Sequence, residues 1–233
     1  MRRRTTKASG ALIGTWAALW AIPALSATAT DEVVATFRFD SSDLVFETTD
    51  GYDLVSLRGA DRLTAPGEPM LPVLHAELLL PPGQTAAAVT IEHGGAVSLP
   101  GEFRIMPAPR PVSFSTDRTA ENPHQDDTTY HSVLPYPREV ARLAGAGSLS
   151  GYRVAEIAVT PLQYVPATGE LVLHTEVTVS VSTDHVGGDD SRVGLDVPAG
   201  SAAQRRLMEE CVANPDALAA YVPSRTARMG FGD

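Results

Sequence analysis

The single cysteine of this chain, Cys211, is the one side chain whose type would allow thiolate nucleophilic chemistry. A reactive thiolate needs a partly exposed, electropositive setting, often at the N-terminus of a helix. Cys211 instead lies near the end of a predicted amphipathic helix, directly after Glu209 and Glu210. Their negative charges oppose thiolate formation, so the sequence favours a structural cysteine over a catalytic one. One cysteine also allows no internal disulfide, so the fold must rest on its hydrophobic core.

The histidines and aspartates lack the spacing of a metal site. None of the six histidines pairs with another at helical i, i+4 spacing or as His-x-His on a strand, so no zinc pattern is present. Asp184, Asp189 and Asp190 flank a glycine pair and offer carboxylates for calcium, but they match neither an EF-hand loop nor a calcium-binding repeat. A solvated linker is favoured there, and we expect no metal and no cofactor.

The chain begins with the three parts of a secretory signal. These are Arg2–Arg4 with Lys7, an apolar stretch at 11–25, and Ala27-Thr28-Ala29 as cleavage site, with Ala24-Leu25-Ser26 as the alternative. The apolar stretch is too short for a stable membrane span. We therefore expect residues 1–29 to be removed after Ala29 and the product to be secreted, into the extracellular space or the periplasm.

Composition limits the possible partners. The formal net charge is −10, and removal of the cationic signal makes the chain more acidic still. Such a chain is poorly suited to nucleic acid or anionic membranes, so we expect neither as a partner after signal removal. Both tryptophans lie within the signal, which leaves few aromatic side chains for stacking on sugars.

Short alternating segments dominate the remaining sequence. Strands are predicted at 32–39, 44–49, 52–59, 74–80, 87–92, 97–105, 152–159 and 170–181. Asp50-Gly51 lies between two of them and is typical of a type I′ hairpin turn. Gly94-Gly95 is predicted to end the strand at 87–92. The pattern predicts an all-β fold, an antiparallel β-sandwich or flattened barrel with a short C-terminal helix.

The same pattern divides the chain into four parts. Residues 1–29 are the signal, 30–183 the β-sandwich, 184–200 a polar linker, and 201–233 a C-terminal helix and tail. Ser201 is a candidate cap for the helix, and its apolar stripe is predicted to contain Leu207, Met208, Cys211 and Val212. Residues 106–137 form an irregular connection of a length that is usually functional or disordered.

Three phrases carry a resemblance to a known family. They are Gly67-Glu68-Pro69-Met70-Leu71-Pro72, Pro135-Tyr136-Pro137, and Pro161-Leu162-Gln163-Tyr164 with Pro166 and Thr168. Together they resemble the N-terminal prodomain of gingipain-type secreted cysteine peptidases. The resemblance implies a non-catalytic module that inhibits, and helps to fold, a gingipain-type cysteine peptidase domain, in cis or in trans. The catalytic domain would lie downstream of the residues present here.

The resemblance also gives roles to individual residues. Prodomains of the Arg-specific kind present an arginine followed by Ala-Glu-Asn-Pro on a loop that plugs the primary pocket of the enzyme. Here the phrase contains one residue more, and it implies an inhibitory loop formed by Arg118, Glu121, Asn122 and Pro123. It further implies maturation by cleavage in the tail, at Arg225 or Arg228. Without the resemblance, these residues are ordinary solvated arginines and loop residues.

Two other functions are compatible with an exported β-sandwich. One is a binding or adhesion module without a peptidase partner, which would need a contiguous aromatic or polar patch. The other is an enzyme in its own right, which would need a reactive constellation that the sequence does not contain.

Overall fold

The computed structural model describes residues 31–110, 124–185 and 202–221. The strands are β1 (Glu32–Arg38), β2 (Leu44–Thr49), β3 (Tyr52–Leu57), β4 (Asp61–Arg62), β5 (Pro72–Leu79), β6 (Gln84–Ser98), β7 (Ala141–Leu149), β8 (Tyr152–Val159), β9 (Leu162–Val165) and β10 (Glu170–His185). The helices are α1 (Asp127–Tyr130) and α2 (Ala202–Cys211), with 3-10 turns at Ser41–Asp43 and Pro215–Ala220.

Two antiparallel sheets face each other across the main core. One has the order β1-β10-β6, with β9 also paired to β10, and the other has the order β4-β5-β8-β7. Strands β2 and β3 form a separate hairpin. Leu78 and Ile157 from one sheet meet Val177 and Val179 from the other, all fully buried. The predicted all-β sandwich with a short C-terminal helix is confirmed.

Strand β10 shows how a period-two pattern specifies this architecture. Five of its apolar residues, Leu171, Leu173, Val177, Val179 and Val181, have no exposed area. Side chains alternate between the two faces of a strand, so these residues share one face and fill the core. The strand is central to its sheet, between β1 and β6.

The hairpin between β2 and β3 forms as its turn residues predict. Asp50 and Gly51 have φ values of 52° and 75°. Positive φ at both central positions is the requirement of a type I′ turn, and its twist matches that of the flanking strands. The strands pair from Thr49 opposite Tyr52 to Leu44 opposite Leu57.

Long-range pairing overrides local sequence signals in two strands. The predicted break at Gly94-Gly95 is wrong, because β6 runs through both glycines and pairs with β10 on either side of them. The separate strand predicted at 97–105 is wrong for the same reason, since its first residues complete β6. The sequence does not predict β7, because its small residues give no alternating pattern and its order comes from pairing with β8.

The C-terminal segment 202–221 packs on the outer end of this sandwich. Met208 is fully buried in a cluster with Leu79 and Tyr152. The predicted stripe is wrong for Leu207 and Cys211, which are both exposed. Met208 is the one buried residue of α2, and after the helix Ala213 donates its N–H to the carbonyl of Glu77 in β5 at 2.8 Å.

Polar contacts fix the same segment to the ends of β5 and β8. The side chain of Asn214 accepts from the N–H of Leu79 at 2.8 Å and donates to its carbonyl at 3.0 Å. The hydroxyl of Tyr221 donates to the carbonyl of Leu80 at 2.7 Å and accepts from the N–H of Arg153 at 2.9 Å. The segment is therefore an integral part of the fold as far as Tyr221.

We expect Met208→Ala to lower the free energy of unfolding by about 2–5 kcal/mol, because it leaves a cavity in a packed cluster. The matched control is Leu207→Ala on the same helix, where the side chain is 49% exposed. For an exposed position the change should stay within about 0.5 kcal/mol. Urea unfolding of both variants measures the difference, and equal losses would contradict the packing described here.

Candidate functional site

Both ends of the segment that contains Arg118 meet at one glycine. The N–H of Gly67 donates to the carbonyl of Ala108 at 2.8 Å. The carbonyl of Gly67 accepts from the N–H of Asp126 at 2.9 Å. We call Gly67, Ala108 and Asp126 the loop base. Ala108 and Asp126, which lie on either side of that segment, are thus held at the same point of the fold.

A short irregular ladder forms the outgoing side of the loop base. Met70 donates its N–H to the carbonyl of Met106, and Ala108 donates to the carbonyl of Glu68, both at 2.8 Å. Pro69 faces Pro107 between these bonds, where neither proline has to donate. The Gly-x-Pro-x-Leu-Pro phrase therefore has a structural role, because it pairs with the residues that precede the segment containing Arg118.

Gly67 is required at the loop base for two reasons. Its φ is +86°, a backbone region that L side chains rarely adopt. A Cβ atom added there would lie 3.2 Å from the backbone nitrogen of Asp126 and 3.4 Å from the carbonyl oxygen of His124. Both contacts are to the returning chain, so any side chain at this position pushes directly on the loop base.

The returning side is fixed by the first turn after Asp126. The carboxylate of Asp126 accepts from the hydroxyl and from the N–H of Thr129, both at 2.8 Å, and so caps α1. These hydrogen bonds, led by that of the hydroxyl, hold the pKa of Asp126 below its usual value. Tyr130, at the end of α1, donates its hydroxyl to the carbonyl of Ile105 at 2.7 Å. The returning chain is thereby tied to the outgoing one.

Residues of the other two family phrases hydrogen-bond to each other and to Glu68, which is next to Gly67 of the loop base. The hydroxyl of Tyr136 donates to the carboxylate of Glu68 at 2.7 Å. Tyr136 also exchanges two backbone hydrogen bonds of 2.8 Å with Tyr164. Burial, and then the bond to Glu68, raises the pKa of Tyr136, so the hydroxyl stays a donor. Residues distant in sequence thus form one scaffold.

Gln163 extends this scaffold into the sandwich. Its side-chain nitrogen donates to the carbonyl of Pro137 at 2.8 Å and to that of Arg138 at 3.2 Å. Its side-chain oxygen lies 2.8 Å from Nε2 of His174. The peptide bond between Tyr136 and Pro137 is cis. The sequence marks Gln163 as part of a family phrase, but the role of His174 depends on contacts that have no sequence signal.

Most of the predicted site residues lie outside the described residues. These are Arg118, Glu121, Asn122 and Pro123 of the inhibitory loop, Arg225 and Arg228 of the processing tail, Ala29 of the signal, and Asp189 and Asp190 of the linker. Ala108 and Asp126 of the loop base lie on either side of the segment for which the inhibitory loop is predicted. Asp184 lies in β10, which continues to His185 and pairs there with the start of β6.

Two further findings on the described residues concern metal binding and membrane-spanning helices. Within ranges 31–110, 124–185 and 202–221, no three His, Cys, Asp or Glu side chains are grouped so that they could hold a metal ion. No helix in those ranges is long and apolar enough to cross a membrane.

Comparison with known proteins identifies the family. A family model, Propeptide_C25, matches residues 24–193, well over half of the chain. Curated proteins gave no match. One similar solved structure is described as the "Complex of Porphyromonas gingivalis RgpB pro- and mature domains", with 22% identity, a TM-score of 0.60, and coverage of 83% of this chain and 95% of that chain.

A second solved structure concerns the zymogenic latency of gingipain K from Porphyromonas gingivalis. It has 20% identity, a TM-score of 0.51, and coverage of 70% of this chain and 97% of that chain. At these identities the structural likeness establishes the fold, and the family model establishes the family. The chain therefore belongs to the Propeptide_C25 family, the non-catalytic propeptides of gingipain-type cysteine peptidases.

Proposed function

We propose that this chain inhibits a gingipain-type cysteine peptidase by presenting residues 111–123 to its active-site cleft, with Arg118 in the primary pocket. The observation that carries the proposal is the loop base, where Ala108 and Asp126, on either side of this segment, are both bonded to Gly67. The solved complex of RgpB pro- and mature domains supports a peptidase partner for a domain of this fold.

The loop base gives a physical reason for tight binding. A segment whose ends are already held together loses less conformational freedom when it enters a cleft than a free peptide does. The ladder at Met70 and Ala108, the cap at Asp126 and the bond from Tyr136 to Glu68 hold those ends. More of the contact energy of the segment therefore remains as affinity.

The same arrangement provides resistance to cleavage. A substrate-like segment that is cut usually leaves the active site as two separate pieces. Here both pieces would stay attached through Ala108 and Asp126 to one folded domain. The new termini would remain at high effective concentration near the cleft, which favours rejoining and slows release. Glu121, Asn122 and Pro123 would continue the segment beyond the pocket.

Maturation at Arg225 or Arg228 is the second part of the proposal. Tyr221 is the last described residue and is bonded to Leu80 and Arg153. Arg225 follows four residues later, so the cleavage site would lie close to a fixed point of the domain. Cleavage would convert a tethered inhibitor into a free one and lower its effective concentration. Export would depend on the signal at residues 1–29.

The proposal is tested by titrating an Arg-specific gingipain-type peptidase with residues 30–233 of this protein. We expect saturable inhibition that competes with a small arginyl substrate, because both would occupy the primary pocket. A Lys-specific gingipain-type peptidase serves as the control and should be inhibited more weakly. Unchanged peptidase activity at saturating protein would contradict the proposal, and so would non-competitive inhibition.

A further inference from the structure

We propose that His174 is a positioning residue for the loop base, acting through Gln163 and only in its neutral form. This inference rests on the proposed function, because the loop base matters for inhibition only if residues 111–123 engage the peptidase. It predicts that inhibition weakens in acid for a reason that lies within the propeptide.

Hydrogen bonding determines the tautomer of His174. The side-chain nitrogen of Gln163 faces the carbonyl oxygens of Pro137 and Arg138, so it must be the amide NH₂ group. The group that faces Nε2 of His174 at 2.8 Å is then the amide oxygen, which only accepts. Nε2 must therefore carry the proton. This leaves Nδ1 as the unprotonated nitrogen of a neutral imidazole.

Protonation of Nδ1 is opposed by its surroundings. His174 is 4% exposed, and Nδ1 is buried without a hydrogen-bond partner among the described residues. A second N–H there would be a buried, unbonded donor on a cation. Burial, and then the nearby His93, lower the pKa of His174 below its ordinary value of 6.5.

The groups around the ring do not compensate such a charge. His93 on β6 meets the ring edge-on, with 4.4 Å between the ring centroids, and its own protonation would add a like charge. Pro161, before β9, uses its carbonyl to accept the backbone N–H of His174 at 2.8 Å. Along β10, Glu176 pairs with Arg38 at 3.0 Å. Glu170, also on β10, accepts from the hydroxyl of Ser98 at 2.6 Å.

The path from the ring to the loop base has few steps. Gln163 is held between His174 and the carbonyls of Pro137 and Arg138. Pro137 directly follows Tyr136, whose hydroxyl is bonded to Glu68 beside Gly67. A charged His174 must move out of its buried site, and Gln163 then loses its acceptor role. The hydrogen bonds through which Gln163 and Tyr136 hold the residues next to the loop base weaken as a result.

The sign of the pH effect follows from the direction of the pKa shift. Because the folded state disfavours the protonated ring, the unfolded or loosened state binds the proton more readily. The stabilisation from neutral His174 is fully present above the ordinary pKa of 6.5. It is lost progressively as the pH falls below that value toward the depressed pKa of the folded protein.

The test compares the pH dependence of inhibition for the wild-type protein and His174→Gln. A glutamine amide can donate to Gln163 and does not titrate. Titrations of the peptidase itself affect both inhibitors equally and cancel in the ratio of inhibition constants. Between pH 7.5 and 5 we expect the wild-type constant to rise about tenfold more than that of the variant, a difference of about 1.4 kcal/mol in binding free energy. His185→Gln, at the exposed end of β10, is the control and should follow the wild type.

A second measurement uses the wild-type protein alone and so tests the inference without the variant and without the peptidase. Nuclear magnetic resonance of the wild-type protein should show the ring of His174 protonated at Nε2 and titrating below pH 6.5. Exchange of the Gly67 and Asp126 amide protons, corrected for intrinsic rates, should accelerate over the same pH range.

Identical pH profiles for wild type and His174→Gln would overturn this inference and leave the proposed function intact. If the protein does not inhibit at any pH, the proposed function fails, and unchanged amide exchange across the titration would then overturn this inference as well.

Discussion

Arg118→Ala is expected to raise the inhibition constant against an Arg-specific gingipain-type peptidase by about 100-fold or more. The reason is that removing one partner of a desolvated, hydrogen-bonded charge pair costs about 2–5 kcal/mol. The acidic pocket of the peptidase would be left with an unpaired carboxylate and a cavity. Active-site titration with a small arginyl substrate measures the change directly.

A second arginine provides the matched control. Arg110 is exposed, lies two residues beyond Ala108, and precedes the segment assigned to the pocket. Arg110→Ala removes the same charge close to the loop base, so it should change the inhibition constant by less than about threefold, as expected for a rim charge. Equal potency of Arg118→Ala and the wild type would exclude Arg118 as the anchor without affecting the family assignment.

Gly67→Ala is expected to have the second large effect, on stability and on inhibition together. A non-glycine residue at positive φ costs about 1–3 kcal/mol. The added Cβ would also crowd the backbone of Asp126 at 3.2 Å, and the returning chain would have to move. We expect the inhibition constant to rise at least about tenfold, because a free energy loss of 1.4 kcal/mol at the loop base already corresponds to that factor.

Gly59→Ala separates the two contributions of Gly67. Gly59 has a φ of +75°, but a Cβ there would meet nothing within 4 Å. It therefore carries a similar conformational cost without contact to the loop base. Urea unfolding should show a loss for both variants, whereas the inhibition constant should rise only for Gly67→Ala. A similar rise for both would mean that general destabilisation weakens inhibition and that the loop base has no specific role.

The sequence predicts those features of the fold that depend on neighbouring residues. The turn at Asp50-Gly51 follows from its requirement for positive φ, and the core face of β10 follows from alternation of apolar residues. Features that depend on distant partners are missed. Strand β6 crosses Gly94-Gly95 because β10 pairs with it on either side of these glycines, and β7 is a strand because β8 lies beside it.

In the candidate site, too, the sequence predicts local features and misses those that depend on distant partners. The family phrases are visible in the sequence, but their common purpose is not, because Gly67 meets Ala108 and Asp126 only in the folded chain. His174 falls on the face of β10 that alternation assigns as mostly polar. Its burial comes from the neighbouring segment that begins at Pro161 and from Gln163, neither of which local periodicity reveals.

The most direct measurement of the central claim is hydrogen exchange of the propeptide alone and in complex with an Arg-specific gingipain-type peptidase. A peptidase whose active-site cysteine has been blocked by a small covalent inhibitor provides the control. We predict that amides of residues 111–123 become protected in the complex and lose this protection when the active site is blocked. Unchanged exchange in residues 111–123, with protection confined to the faces of the sheets, would contradict the account.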